Sequence, residues 1–220
     1  MTAQERSTTT GESGLRGHRI QNIEKAEARR RDILVAAAHV FAREGYTSAS
    51  LDTIAATIGV TKGVIYYYFR SKEEILTEIR ATAIRDAIER LEAIIAAGSA
   101  PDVMLRNAVQ GLVGHVFDDL DRYANVLRAN ERLSRESYET VRSLQRRFER
   151  LLCGIIEEGI KQGVFADRDA KVTTFTLLRA CLGVADWYSP DGPLAPETIT
   201  HDVVEQVMAG VLCHADTPAT

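Results

Sequence analysis

The sequence lacks the features that would place a protein in or across a membrane. No apolar run approaches the ~18 residues that a transmembrane helix requires. The opening segment, MTAQERSTTTGESGLRGHRI, has no apolar core of the kind found in signal peptides. We therefore expect a cytoplasmic protein with no membrane partner.

Cysteine is scarce, and its spacing argues against disulfides and metal sites. Cys153, Cys181 and Cys213 are far apart, and each lies in an apolar helical pattern. An odd number of buried cysteines in a reducing compartment favours free thiols over redox sensing. No CxxC, CxxH or HExxH spacing occurs, so we expect neither a metal nor another cofactor. His115 with Asp118 and Asp119 supplies too few ligands on one helical turn.

The motifs of enzymes and the patterns of β-sheets are missing as well. The chain has no nucleophile elbow, no phosphate-binding glycine loop and no catalytic spacing of His, Asp and Cys, so we expect no enzymatic activity. Alternating β-branched runs joined by hairpin turns are absent, and from about Ile23 onward every segment has helical periodicity. The sequence predicts an all-α protein of about nine helices.

The net charge of −4 is distributed unevenly along the chain. Residues 1–80 carry two more cations than carboxylates, whereas residues 81–220 carry six more carboxylates than cations. A weakly basic N-terminal part on an acidic remainder is typical of a protein that contacts phosphate groups at one end only.

Three helical patterns follow one another in residues 21–70. The first starts at about Ile23 and ends before Gly45, and the second starts after the N-cap Ser50. Gly59 separates the second from the third, where a left-handed turn is favourable only without a Cβ. We predict that this glycine forms the turn of a helix-turn-helix.

The third helical pattern, TKGVIYYYF, combines small, cationic and aromatic residues on one short helix. Lys62 can approach phosphates or a guanine edge, and Gly63 lets the backbone approach DNA closely. The hydroxyls of Tyr66 and Tyr67 can donate to phosphate oxygens, while Tyr68 and Phe69 are expected in the core. The predicted DNA-contacting residues are Ser48, Ser50, Thr61, Lys62, Gly63, Tyr66, Tyr67 and Lys72. N-capping alone also explains Ser48 and Ser50, and Thr61 is the predicted cap of the third helix.

Residues 27–80 resemble the DNA-binding domain of the TetR family of transcriptional regulators. The resemblance lies in VFAREGY (40–46) and SLDTIAATIGVTKGVIYYYFRSKEEIL (50–76). It implies a helix-turn-helix domain at residues 21–70 and a helical effector-binding and dimerisation domain at 71–220. It further implies a dimer that binds palindromic double-stranded operator DNA, more commonly as a repressor than as an activator. A helical interaction module without DNA binding is the alternative from another class.

Residues 1–20 are rich in Thr, Ser, Gly and charge, which predicts a disordered arm in the absence of DNA. Arg16, His18, Arg19 and the run Arg29–Arg31 lead into the first helix. Such an arm can enter a minor groove and add affinity that falls with salt. A solvated tail explains Arg16 and Arg19 equally well.

Two predicted helices near the C-terminus, at about 169–188 and 196–213, are apolar on two faces. A helix with two apolar faces is buried on two sides. We predict a homodimer whose interface is a four-helix bundle built from these helices. Burial of both faces inside one subunit is the alternative.

The segment WYSPDGPL, residues 187–194, connects these two helices. Its W-Y-x-P-x-G turn resembles TetR-family regulators of fatty-acid, steroid-ring and phenylacetate-type catabolism, which implies a CoA thioester as the effector. The turn could instead stabilise the dimer bundle. The rival effector is a drug-like or aromatic compound, with the protein controlling an efflux or transport gene.

An acyl-CoA effector needs an apolar tunnel and cations for its phosphates. The predicted tunnel residues are Leu112, Val116, Phe117, Leu127, Phe148, Leu152 and Phe175. The predicted cations are Arg128, Arg132, Arg146 and Arg179, and Trp187 is a further predicted effector contact. Arg179 lies in an otherwise apolar helix, for which an intrachain salt bridge is the alternative explanation.

Overall fold

The computed structural model describes residues 11–120 and 133–212, with the backbone alone for residues 11–22. Its helices are α1 (Gly11–Glu44), α2 (Leu51–Thr57), α3 (Lys62–Tyr68), α4 (Lys72–Ala96), α5 (Pro101–Asp118), α6 (Arg135–Lys161), α7 (Ala170–Leu182), α8 (Val184–Trp187) and α9 (Pro196–Val211). These ranges contain no β-strand, so the predicted all-α fold is confirmed. Residues 121–132, where the helical periodicity of the sequence also continues, lie outside the described residues, as does Cys213.

The N-terminal helices surround one compact core. Its fully buried residues include Ile33, Ala37, Phe41, Ile54, Ile65, Phe69, Ile75 and Leu76. Gly45 and Gly59 end α1 and α2 with φ angles of 78° and 65°, a left-handed conformation that favours glycine. The predicted turn between α2 and α3 is therefore present, and it orients α3 against α1 and α2.

The start of α1 differs from the sequence prediction. The helix begins at Gly11 rather than at about Ile23, so the second half of the predicted disordered arm is helical. Low hydrophobicity argues against a packed core, but it does not prevent a helix from extending, because elongation adds one hydrogen bond for each residue fixed. The segment between Gly11 and Ile33 also contains no proline that would end it.

α4 belongs to two cores at once. Its first turns bury Ile75, Leu76 and Ile79 in the N-terminal core, and later turns bury Ile88 and Leu91 among the C-terminal helices. α4 packs along α6, while α5 packs against α6, α7 and α9. Both halves of the molecule are therefore joined through one continuous helix.

The helix predicted at 169–188 is divided at Gly183 into α7 and α8. A Cβ at Gly183 would lie 2.7 Å from the carbonyl oxygen of Arg179, so this junction fits only glycine. None of the helices in the described ranges has both the length and the apolarity needed to cross a membrane.

The two apolar faces of the last helices have different explanations. The apolar residues of α9, among them Val204, Val207 and Met208, are buried within the chain because α9 packs against both α5 and α7. For these residues of α9, burial inside one subunit, the alternative given above, accounts for the apolar pattern. On α7, by contrast, Val172 is 63% exposed and Phe175 is 39% exposed.

Candidate nucleic-acid interface and ligand cavity

α3 presents an exposed aromatic surface because its opposite side is fixed in the core. Ile65 and the following Phe69 are buried, as expected for Phe69 from the sequence. Tyr66 and Tyr67 are 53% and 82% exposed, and the rings of Tyr67 and Tyr68 pack edge to face at 5.0 Å. The hydroxyls of Tyr66 and Tyr67 are therefore on the surface that a groove of DNA would meet.

Lys62 lies on the same exposed surface and forms a solvent-exposed ion pair. Its Nζ is 2.7 Å from Oδ2 of Asp52, and this hydrogen bond raises the pKa of Lys62 above its usual value. Both side chains are exposed, and an exposed pair of this kind contributes little stability. Lys62 is consequently charged at neutral pH and can exchange the carboxylate for a phosphate.

Nothing inside the chain requires glycine at position 63. A Cβ built there would meet only Oγ1 of Thr61, at an ordinary contact distance of 3.7 Å, and the backbone φ is not positive. Glycine lowers helix stability relative to alanine. Neither packing nor backbone geometry explains the glycine at this position. Its presence is consistent with the prediction that DNA approaches the backbone closely here.

The predicted hydroxyl contacts divide into two groups. Ser50 is the N-cap of α2 and accepts from the N–H of Thr53 at 3.0 Å, so its capping explanation is supported. Thr61 occupies the N-cap position of α3 without a side-chain hydrogen bond, which corrects the expectation that it caps the helix. Its side chain and that of Ser48 are exposed and lie beside helix starts.

Lys72 has a structural role that the sequence does not reveal. Its ammonium donates to the carbonyl oxygens of Tyr46 (2.6 Å), Ala49 (2.8 Å) and Thr47 (3.3 Å) and lies 4.6 Å from the Tyr46 ring centroid. An ammonium has three donors, and these carbonyls occupy them. Lys72 therefore holds the connection between α1 and α2, and a phosphate contact would require it to give up one of these bonds.

The first turn of α4 also contacts the start of α6. Ser71 is the N-cap of α4, and its hydroxyl accepts from the N–H of Glu74 at 3.1 Å. Oε1 of Glu73 accepts from the backbone N–H of Ser134, the N-cap of α6, at 2.7 Å. Hydrogen bonds from Ser134 and Ser137 lower the pKa of Glu73 below its usual value. Lys72 and Glu73 are adjacent in α4. Lys72 thus contacts the connection between α1 and α2, and Glu73 contacts the start of α6.

A cavity of about 450 Å³ lies between α4, α5, α6 and α7. It is lined by Ala83, Ile84, Ala87, Leu112, Tyr138, Arg142, Gln145, Phe148, Glu149, Phe175, Leu178, Arg179 and Leu182. Of the predicted effector contacts, it brings together Leu112, Phe148, Phe175 and Arg179. Its volume is within the range of small-molecule sites, and its walls combine apolar side chains with a few polar ones.

The other predicted effector contacts lie elsewhere. Val116 and Leu152 are buried core residues, because apolar side chains at helical spacing fill the core first. Phe117 packs edge to face on Tyr188 at 4.8 Å, Arg146 is exposed and 3.4 Å from Glu139, and Trp187 is 57% exposed on α8. Leu127, Arg128 and Arg132 lie outside the described residues.

Of the cavity wall that α6 contributes, the sequence prediction included only Phe148. Tyr138, Arg142, Gln145 and Phe148 recur at the spacing of one helix face, which is the signal that could have identified them. Nη1 of Arg142 is 2.7 Å from Oε1 of Glu149, and both side chains are largely buried. An anionic ligand at Arg142 must compete with this carboxylate.

Arg179 differs from Arg142 in its surroundings. No carboxylate of the described residues forms an ion pair with it, so the intrachain salt bridge offered as an alternative is not found among them. Arg179 is thus the cavity cation that is accessible to an anion without displacing a carboxylate. His115 Nδ1 lies 2.9 Å from Asp118 Oδ2, and the described residues hold no cluster of three or more potential metal ligands.

Two family profiles match the chain. The profile described as bacterial regulatory proteins, tetR family, matches residues 33–79. The profile described as the tetracyclin repressor-like C-terminal domain matches residues 98–211, more than half of the chain. The chain belongs to the TetR family of transcriptional regulators.

Similar TetR-family proteins span nearly the whole chain. The HTH-type transcriptional repressor KstR2 of Rhodococcus jostii is 27% identical over 190 residues, which cover 83% of this chain and 91% of the relative. The structure of PfmR from Thermus thermophilus has a TM-score of 0.75 at 28% identity, covering 81% of this chain and 97% of that one. AibR, solved with isovaleryl coenzyme A and operator DNA, has a TM-score of 0.74 at 24% identity, with coverage of 81% and 97%. These relatives are regulators rather than enzymes.

Replacing Lys72 with alanine should destabilise this TetR-family protein. Removal of a charged donor leaves several carbonyl oxygens of the α1–α2 connection without their partner, which costs about 1–3 kcal/mol in the free energy of unfolding. Urea unfolding measures the loss. Lys62→Ala, which removes an exposed cation, is the matched control and should leave the unfolding midpoint unchanged. Equal midpoints for Lys72→Ala and the unchanged protein would contradict the structural role.

Proposed function

We propose that this protein is a dimeric, DNA-binding transcriptional repressor that a small-molecule effector releases from its operator, and that the effector is a CoA thioester. One observation carries the proposal. α4 starts in the core that orients α3 and continues into the wall of the cavity, so one helix serves both candidate sites. The exposed surface of α3 and the cavity between α4, α5, α6 and α7 supply the two binding functions that such a regulator needs.

The proposed DNA contact uses the N-terminal part of α3 in a major groove. Lys62 supplies a cation, Gly63 permits close approach, and Tyr66 and Tyr67 supply hydroxyl donors. In a dimer, two copies of α3 would contact half-sites about one helical turn (~34 Å) apart, which matches a palindromic operator.

The proposed effector fits the mixed character of the cavity. Phe148, Phe175 and Leu178 form an apolar wall for an acyl group, and Arg179 is an accessible cation for a phosphate. AibR, a protein of the same fold, was solved with isovaleryl coenzyme A, which supports a CoA thioester as the first class to test.

A second effector class is favoured by one residue of the cavity. Glu149 places a carboxylate in the wall, and Tyr138 adds an aromatic ring, which together suit a cationic aromatic compound. With such an effector the protein would control an efflux or transport gene.

The route from the cavity to α3 runs through the first turn of α6. Tyr138 lines the cavity one turn after Ser134, and Ser134 donates to Glu73 at the start of α4. An effector that moves this turn would tilt α4 and change the separation of the two α3 helices. It can do so only if it binds the two arrangements with different affinity.

The proposed dimer interface includes the exposed face of α7. Val172 is a large apolar residue that is 63% exposed there, and the exposed side of α9 carries small residues such as Ala209 and Gly210. Small residues permit close packing of helices, so two copies of this surface can form the predicted four-helix bundle.

Gly63→Ala separates DNA binding from folding. The added methyl group would meet only Oγ1 of Thr61 at an ordinary contact distance and favours the helix, so the unfolding temperature should stay equal or rise. Operator affinity should fall at least tenfold because the methyl group holds the backbone away from DNA. Duplexes selected from a random library, followed by fluorescence anisotropy, measure the affinity. If the selected duplexes share no palindromic consensus, the DNA-binding proposal is wrong. If the variant binds the operator with unchanged affinity, the proposed role of Gly63 is wrong.

Arg179→Gln tests the effector. Acyl-CoAs should stabilise the protein in a thermal-shift assay and release it from the operator, and the variant should need about tenfold more ligand. Arg146→Gln is the matched control, because Arg146 lies outside the cavity wall. Stabilisation by cationic aromatic dyes alone, with no response to acyl-CoAs or free acids, would favour the second effector class.

Val172→Asp tests the dimer. A carboxylate on the exposed face of α7 would be buried in the bundle without a partner, so sedimentation should show monomers at concentrations where the unchanged protein is dimeric. Val103→Asp, at an exposed position of α5, is the control and should remain dimeric. Dimers of equal stability for both variants would place the interface on another surface.

A further inference from the structure

The N-terminal half of α1 extends beyond the core that fixes its C-terminal half. Among the residues of α1 whose side chains are described, from Ile23 onward, burial begins at Ile33, and Ile23 is 53% exposed. Residues 23–32 therefore gain little from packing against their own chain. The exposed polar side chains among them are available to another molecule.

The helical form of this segment changes how it can meet DNA. An α-helix with its side chains is ~10–12 Å wide, and the minor groove of B-DNA is only ~6 Å wide. The segment from Gly11 onward is helical, so it does not fit the predicted insertion of Arg29–Arg31 into a minor groove. A helix can instead lie along the sugar–phosphate backbone.

The consecutive arginines of α1 have different partners. The guanidinium of Arg30 lies 4.6 Å from the Phe69 ring centroid and 3.2 Å from Glu78, so Arg30 fastens α1 to the end of α3 and to α4. Arg29 lies on a neighbouring face, where its contact with Asp32 is long at 3.5 Å and both groups are about half exposed.

Arg29 lines an open groove of about 590 Å³, which we name the α1–α3 groove. It is formed by Lys25, Ala26, Ala28, Arg29 and Asp32 of α1 and by Tyr67 and Tyr68 of α3. The alanines leave room between the long side chains, and Lys25 and Arg29 are one helical turn apart on the same face. The groove thus runs from the exposed part of α1 to the last turn of α3.

The chemistry of the α1–α3 groove fits a phosphodiester. Lys25 and Arg29 are cationic donors, and the hydroxyl of the exposed Tyr67 can also donate to a phosphate oxygen. Asp32 is the one carboxylate among the groove residues, so the lining carries a net charge of one positive unit. Because Tyr67 shares α3 with Lys62, a DNA strand that contacts α3 continues directly into this groove.

We propose that the α1–α3 groove binds the DNA backbone that flanks the half-site contacted by α3. The inference rests on the proposed DNA binding and adds to it a contact that reads no bases. Residues 23–32 span about 15 Å at ~1.5 Å per residue, so they cover about four flanking base pairs at ~3.4 Å each.

The test compares duplexes that end at the edge of the selected palindrome with duplexes that carry about five more base pairs on each side. Affinities are measured over a salt series for the full-length protein and for Lys25→Ala/Arg29→Ala. The matched control is Arg150→Ala/Lys161→Ala, which removes one arginine and one lysine from exposed positions of α6. Circular dichroism checks that each variant is folded.

The unchanged protein and the control should bind the longer duplex more tightly, and Lys25→Ala/Arg29→Ala should bind both duplexes equally. Its salt slope should fall by about 0.9 for each lost phosphate contact, with the ratio of operator to scrambled affinity unchanged. Asp32→Asn should strengthen binding to the longer duplex. A groove variant that keeps the slope and flank dependence of the unchanged protein would overturn this inference while specific binding stands. Failure of the unchanged protein to bind any sequence specifically would reject both proposals.

Discussion

The ammonium group of Lys72 fixes the geometry on which both candidate sites depend. By donating to the carbonyl oxygens of Tyr46, Thr47 and Ala49, it joins the start of α4 to the connection that precedes α2. Glu73, the next residue, accepts from Ser134 at the start of α6. The first turn of α4 is thus bonded to the DNA-facing helices on one side and to the cavity-forming helices on the other.

The two predicted domains are less separate in the structure than the sequence suggests. A boundary at residues 70–71 divides the sequence motif from the remainder, yet Ile75, Leu76 and Ile79 complete the core beneath α3. Later residues of α4 line the cavity, so one helix is shared by the core beneath α3 and the cavity wall. Because packed interiors have low compressibility, a displacement of α4 would be transmitted to its neighbours in that core.

Much of the fold could be predicted because helical periodicity and turn glycines are local signals. Gly45 and Gly59 end helices where the sequence indicated, each with positive φ. The partners of Lys72 could not be predicted, because they are more than twenty residues away in the chain and are backbone atoms without a sequence signature. The resemblance to the TetR family predicts a DNA contact for Lys72, but it does not indicate the hydrogen bonds to these carbonyl oxygens.

Only some of the residues that line the cavity could be predicted, because apolar periodicity does not distinguish a cavity wall from a packed core. Apolar residues at helical spacing identify a core, and Val116 and Leu152 proved to fill that core rather than to line a space within it. The residues that leave the space carry polar groups, such as Arg142 and Gln145, which periodicity assigns to the surface. The burial of Arg80, whose pKa is lowered by that burial, was equally invisible to a pattern of apolar residues.

The contact between Glu73 and Ser134 has a consequence for how the proposed regulator responds. Hydrogen bonds lower the pKa of Glu73, so the contact is fully formed above the ordinary glutamate pKa of ~4.3 and is lost only as the pH falls through the lowered value. At neutral pH Glu73 is therefore ionised and able to accept this hydrogen bond, so acidity near neutrality does not regulate the contact. Coupling between two binding sites is reciprocal: an effector that weakens operator binding by some factor must itself bind more weakly, by the same factor, to the protein on its operator. A regulator already on DNA would then respond to its effector at a higher concentration than one that is still searching.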